Sequence, residues 1–247
     1  MKQKVNAIAN GHAILKLLAN QSSALGVTAI ARSTEISPSS CFNILRTLVD
    51  LNLAVFDENT KRYTLGPEIF ELARHGLSYD TIVAASQPIL TELAQKHNAT
   101  LGLWDIVNQS EAVLVAMGEN SSPARLSLRI GSRQPIGAGA TGRATLSTRQ
   151  HSRHSLESKF AEVTWEGKIN FDEYLSDIKR ARKYGYAIDR DKYYLGISTV
   201  SSAFDNSQTG RQYCITAVLL SGAHDAKSIN RVGLDLHSEV KAFADSF

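Results

Sequence analysis

Residues 129–144, RIGSRQPIGAGATGRA, hold the chain's densest chemistry. Gly137, Gly139 and Gly142 match the spacing G-x-G-x-x-G literally. A dinucleotide fold needs a buried strand immediately before such glycines and a strand–helix–strand unit around them. Here Arg133-Gln134-Pro135 comes first and no parallel-strand pattern follows, so the segment does not read as a dinucleotide site. Simpler physics remains. Glycine amides at a helix start, Gly142 among them, can receive an anion; the Thr141 hydroxyl adds a donor, and Arg129 or Arg133 adds charge. The same residues also make a plain tight turn and helix cap. His151 and His154, with Glu157 one turn on, have metal-pair spacing on a helix, but their run of mixed charge reads as a solvated surface. No Ser-His-Asp, Cys-His or two-carboxylate pattern has supporting context, so neither an enzyme nor a cofactor is expected.

The elements that position this segment follow from pattern and turn chemistry. The 247 residues allow one large or two ordinary domains. Cys41 and Cys214 match no metal-ligand spacing, and no apolar run approaches membrane length. Polar residues interrupt the N-terminal apolar stretch, so a cytoplasmic protein without membrane contact is expected. From residue 81 a long helix is predicted over 81–98, with Ile82, Ala85, Ile89, Leu93 and His97 along it. Paired strands follow at LGLWDIVN and EAVLVAMG, then a further strand at LSLRIG. The sequence predicts helices from TGRATLSTR and over 172–185, a hairpin turning at 205–210, and a closing helix. Helices on an antiparallel-rich sheet imply an α+β sensor-like domain.

Residues 27–66 carry a second kind of chemistry. A helix is predicted over 6–20, then a turn at 21–26. Thr28 can cap a short second helix, and Ser37-Pro38 starts a third. On a 100° wheel Cys41, Leu45, Leu48 and Asn52 share one face of the third helix, flanked by Ile44 and Leu51. Ser39, Asn43, Arg46 and Asp50 share the other, flanked by Phe42 and Thr47. The first face buries; the second is free to meet a DNA major groove. Ser39 and Ser40 can reach phosphates or base edges, Asn43 can pair with adenine, and Phe42 can touch a thymine methyl. Arg46 suits a phosphate. A hairpin, LAVFDENTKRYTLG, follows as a wing with Lys61 and Arg62 near its tip. Residues 1–66 hold seven basic and four acidic side chains, while the remainder is balanced at twenty of each. The whole net charge of +3 therefore falls on the part expected to face phosphates.

The string from Ile14-Leu15 through Arg62-Tyr63-Thr64-Leu65-Gly66-Pro67 resembles the DNA-binding domain of IclR-type bacterial transcription regulators. The closing R-Y-x-L-G-P carries most of that resemblance. Gly-Ala-Thr-Gly-Arg-Ala at 139–144, Gly185–Asp189 and Leu195–Thr199 extend it over essentially the full chain. One departure is Asn43, where family members often carry Arg. The resemblance implies a winged helix-turn-helix over 1–66 and a linker helix over 67–82, with Ile69, Leu72, Ala73 and Leu77 on one side. It implies a GAF-like effector-binding and oligomerisation domain over 83–247. It also implies a homodimer, with a dimer of dimers as the larger assembly, reading a palindromic double-stranded operator. Effector contacts carry over to Ala140, Thr141, Asp189, Ile197, Thr199, Leu219 and Ser221. Leu219, where relatives often place a hydroxyl, suggests a more apolar ligand. Trp104 and Met117, if they face inward, suit an aromatic or branched acid. The expected function is thus a repressor or dual regulator of a catabolic operon that senses a small organic acid. Two alternatives stand beside it: an enzyme using 137–142 as a phosphate cradle, and an architectural DNA-binder whose second domain only dimerises.

Overall fold

The computed structural model describes residues 5–21, 23–76, 79–122, 126–207 and 209–246. Lys2, Lys4 and Leu77 lie outside them, as does the Ala73 side chain. The chain forms two compact units, residues 1–80 and 81–247. Among the described residues no helix is long and apolar enough to cross a membrane.

In the first unit α1 (Asn6–Ala19), α2 (Val27–Thr34) and α3 (Pro38–Asp50) enclose a small core. Each contributes a narrow apolar stripe: Ile14 and Leu18, then Ile30 and Ala31, then Cys41, Leu45 and Leu48. Ser37 caps α3 by accepting the Ser40 amide at 3.3 Å, with Pro38 in the first turn. The predicted buried face of α3 ends one turn early. Leu51 is exposed and Asn52 has φ +56°, because the chain leaves the helix there to enter the wing.

The wing pairs β2 (Ala54–Asp57) with β3 (Arg62–Leu65), and β3 pairs on its other side with a two-residue β1 (Leu25–Gly26). That pairing holds the chain extended through Gly26, so α2 starts at Val27 and its N-cap is Gly26 without a side-chain bond. Thr28 is therefore an exposed first-turn residue rather than the cap expected from sequence. Gly66 closes the hairpin. A Cβ there would come within 2.0 Å of the Asn52 carbonyl oxygen, a backbone atom that cannot turn aside.

α4 (Glu68–Gly76) follows. α5 (Tyr79–His97) opens the second unit and buries Ile82, Ser86, Leu90, Leu93 and Ala94, leaving Ala85 outside. The sheet is antiparallel in the order β6-β5-β4-β9-β8-β7: Arg133–Pro135, Glu111–Gly118, Thr100–Val107, Gln212–Leu220, Ile197–Asp205 and Ala187–Arg190. One face packs on α5 and α9 (Ala226–Ala244), through Leu101, Leu103, Ile215, Ala217 and Leu236. The other packs on α6 (Gly139–Ser147), with α8 (Phe171–Tyr184) and α7 (Arg153–Ala161) beyond it. An extra residue in β5, Val115, opposite the Leu103/Trp104 step puts Leu114 beside Trp104 on the α6 face and Ala116 beside Leu103 on the other. The predicted strand at LSLRIG is not one. Residues 126–132 run as an irregular loop, tied by Gly131 and Ser132 to Leu114, and the strand begins at Arg133.

The Gly66 contact makes a direct prediction. Gly66→Ala should lower urea stability by about 1–3 kcal/mol through overpacking against backbone. Chemical denaturation followed by circular dichroism would measure it, and an unchanged midpoint would contradict the close approach.

Candidate functional site

The candidate DNA-facing surface is the side of α3 that the core leaves free. Ser39, Ser40, Phe42, Asn43, Arg46 and Thr47 are all exposed. The Ser37 hydroxyl donates to Ser40 Oγ at 2.9 Å, and Thr47 donates to the Asn43 carbonyl at 3.1 Å, so the helix satisfies its own hydroxyls. The side chains of Asn43 and Arg46 make no hydrogen bond to another described residue, which leaves both donor sets for a partner. At the wing, Asp57 accepts the amides of Asn59 (2.8 Å) and Thr60 (3.2 Å). These bonds, Thr60's first, hold its carboxyl below the usual range. Lys61 stands over the Phe56 ring and Arg62 donates to the Ala24 carbonyl at 3.3 Å, so both exposed cations are steadied on the hairpin.

The second surface is built on α6, every residue of which is buried. Gly142 has no room for a Cβ, which would lie 2.4 Å from the Ile136 carbonyl oxygen. The glycines thus serve packing, and the segment opens a helix against an antiparallel sheet. The helix is tied down at three levels. At its start the Ala140 amide donates to Thr199 Oγ1 at 3.4 Å, and the Thr141 and Thr216 hydroxyls meet at 2.8 Å, with Ser201 at 2.8 Å beyond. In the middle the fully buried Arg143 pairs with Asp189 and donates to the Ile188 carbonyl at 3.1 Å. At its end Arg182 donates to the Ser147 carbonyl at 2.9 Å, and Gln212 to Thr148 at 2.6 Å. Cys214 lies in the same hydroxyl group, and burial pushes its thiol up to about 12.

Asp189, Thr199, Val218 and Thr100 are lateral neighbours across four strands. A cavity of about 170 Å³ borders the end of this row, lined by Thr100, Asn120, Leu126 and Val218. The structure therefore gathers Ala140, Thr141, Gly142, Asp189, Thr199 and Trp104 around α6. Ile197 lies two residues before Thr199, half-buried. Met117 is half-buried opposite Gly102 at the far end of β5. Arg129 is exposed in the loop before β6 and brings no charge to this group. Leu219 packs into the α5–α9 cluster and borders the cavity from there. Ser221 shares a 2.8 Å hydrogen bond with Ser198. β9 is buried on both faces, so its parity cannot be read from hydrophobicity. Sequence reasoning passed over Arg143, the charge that α6 does supply. Its signal was an arginine inside a run of small residues, where only a paired cation can be buried. Among the described residues no group of three or more His, Cys, Asp or Glu gathers to hold a metal.

The model of the bacterial transcriptional regulator IclR C-terminal domain matches residues 75–241, and that of the IclR helix-turn-helix domain matches residues 7–58. The chain belongs to the IclR family of transcription regulators. Among curated relatives, the HTH-type transcriptional repressor AllR of Escherichia coli is 24% identical over 200 residues, 80% of this chain and 73% of that protein. The AllR of Salmonella typhi is 23% identical over 220 residues, 87% and 79%. The IclR regulator from Alicyclobacillus acidocaldarius superposes with a TM-score of 0.76 at 20% identity, covering 98% and 100% of the two chains. An IclR homolog from Microbacterium hydrocarbonoxydans, solved with 4-hydroxybenzoate, gives 0.72 at 12% identity over 96% and 99%. These relatives are regulators rather than enzymes. A winged helix that binds DNA and a C-terminal domain that binds a small ligand are the family's two parts.

The buried ion pair yields the second prediction. Asp189→Leu should cost about 3–5 kcal/mol by taking the nearest carboxylate from the buried Arg143 guanidinium. The double variant Arg143→Met/Asp189→Leu should recover most of that loss in the same denaturation experiment. Additive losses would show that the two side chains do not act as a pair.

Proposed function

We propose that this regulator represses, or acts in both directions on, a catabolic operon and responds to a small organic acid. Thr199 Oγ1 against the Ala140 amide carries the acid assignment. It places a half-buried hydroxyl at the positive end of a buried helix, where a carboxylate is favoured. Trp104 on the same face supplies flat apolar surface, which supports an aromatic acid. The 4-hydroxybenzoate bound to the Microbacterium protein is of that class, and the AllR relatives are named repressors. On this reading Ser39, Ser40, Asn43 and Arg46 enter the major groove, and Phe42 meets a thymine methyl. Lys61 and Arg62 take the backbone beside it, and Thr28 approaches a phosphate from the first turn of α2. Two copies reading a palindromic operator then make a homodimer, with a dimer of dimers as the larger form.

Fluorescence anisotropy on DNA from the gene's own upstream region tests this. Specific binding should fall steeply and linearly in log–log form with salt. Asn43→Ala should lose about 1–3 kcal/mol on the specific site and relax base preference. An equal loss on random DNA would remove Asn43 from base reading. A panel of small carboxylic acids that includes 4-hydroxybenzoate should release the DNA from the wild type. Thr199→Val, nearly isosteric, should keep the DNA affinity and lose the acid response. A Thr199→Val protein that still answers the acid would move the effector elsewhere.

A further inference from the structure

A second cleft opens on the same domain, between α8, β7 and the start of α9, with a volume of about 250 Å³. Its walls carry Arg143, Arg180, Arg190 and Lys192 against Glu173 and Asp177. Ala226, the first residue of α9, lies on its edge, so that helix presents its positive end there. The partners of the acids are already fixed. Glu173 pairs with Lys192 at 3.1 Å, and Asp177 stands 3.8 Å from Arg143 Nε. Arg190 makes one long bond, to the His224 carbonyl at 3.4 Å. Arg143 contributes a buried charge. Its side chain is fully buried, Nη2 serves Asp189 and Ile188, and Nη1 has no hydrogen-bond acceptor among the described residues.

The buried Arg143 guanidinium leaves positive potential in the wall of the cleft, and Arg180 and Arg190 at the rim offer donors that suit an anionic oxygen. We infer that this cleft is a second ligand site of the effector domain, and that it takes a small oxoanion, a carboxylate or a phosphate. Arg180 and Arg190 close on its oxygens from the rim, with the buried Arg143 charge behind the wall. The volume suits a compact anion of few atoms. The site is separate from the proposed effector contacts at Ala140 and Thr199, yet shares α6 with them. Because Arg143 also holds Asp189, an anion in the cleft and an acid at Thr199 act on the same helix. Any coupling between them must be reciprocal.

Isothermal titration of the full-length protein with inorganic phosphate and with malonate tests the inference, at ionic strength held constant with sodium chloride. Saturable binding of either is expected. Arg190→Glu and Arg180→Glu, both outside the buried pair and so expected to fold, should each weaken it about tenfold or more. Thr199→Val should leave it unchanged, which separates this site from the effector reading. The inference is overturned if neither anion saturates. It is also overturned if the charge reversals leave the affinity intact, or if Thr199→Val abolishes binding while Arg190→Glu does not.

Discussion

The second domain depends on burying one short helix on every side. α6 is enclosed by β8, β9, β7 and α8, and all nine of its residues are buried. A helix so enclosed can approach its neighbours only if most of its side chains are small, which is why it reads GATGRATLS. Small polar residues then bring hydroxyls into the interior, and each must find a partner there. Thr145 and Ser147 turn back onto their own helix at 2.8 and 2.7 Å, whereas Thr141 and Ala140 reach across to Thr216 and Thr199. Arg143 is the extreme case. Its charge is admitted because Asp189, Ile188 and, over the guanidinium, the rings of Trp165 and Tyr174 surround it. The polar chemistry of the domain is therefore a consequence of the packing.

The first unit applies a milder version of the same rule. α3 has one buried stripe and one free face, and the separation of Ser39, Asn43 and Arg46 from Cys41, Leu45 and Leu48 follows from 3.6 residues per turn alone. That is why the free face of α3 was legible in the sequence. The wing was legible for a similar reason, since Asp57-Glu58-Asn59 is turn chemistry and the pairing of Phe56 with Tyr63 completes it. Strand β1 was not legible, because two residues carry no period. It nonetheless set the start of α2 and so the position of Thr28.

The second domain was legible in outline and less so in detail. Its helices and the β8–β9 hairpin were evident, but the faces of the central strands were not. β4 and β9 are buried on both sides, so Leu219 and Val218 look alike in sequence while one packs against α9 and the other beside Thr199. The extra residue Val115 in β5, opposite the Leu103/Trp104 step, adds a change of parity that no hydropathy pattern reveals. Arg129 and Arg143 show the same difficulty with charge. Both stand near the glycines, and the exposed one attracted the reading because a buried arginine is uncommon.

The attachment of α6 also limits how a ligand can act. The middle and end of the helix are fixed by ionic and multiply bonded contacts, through Asp189, Arg182 and Gln212. Its first turn is held by one long amide–hydroxyl bond and a pair of threonines. A small acid at the first turn therefore competes with the weakest of these contacts, and the strain it introduces has little rigid structure to overcome. A ligand placed at the Arg143 end would instead act on the strongest contact and would change the helix only by loosening Asp189. If both sites are occupied, the free energy that links them is carried by α6 itself, and its sign depends on whether the Arg143–Asp189 pair tightens or relaxes as the first turn moves.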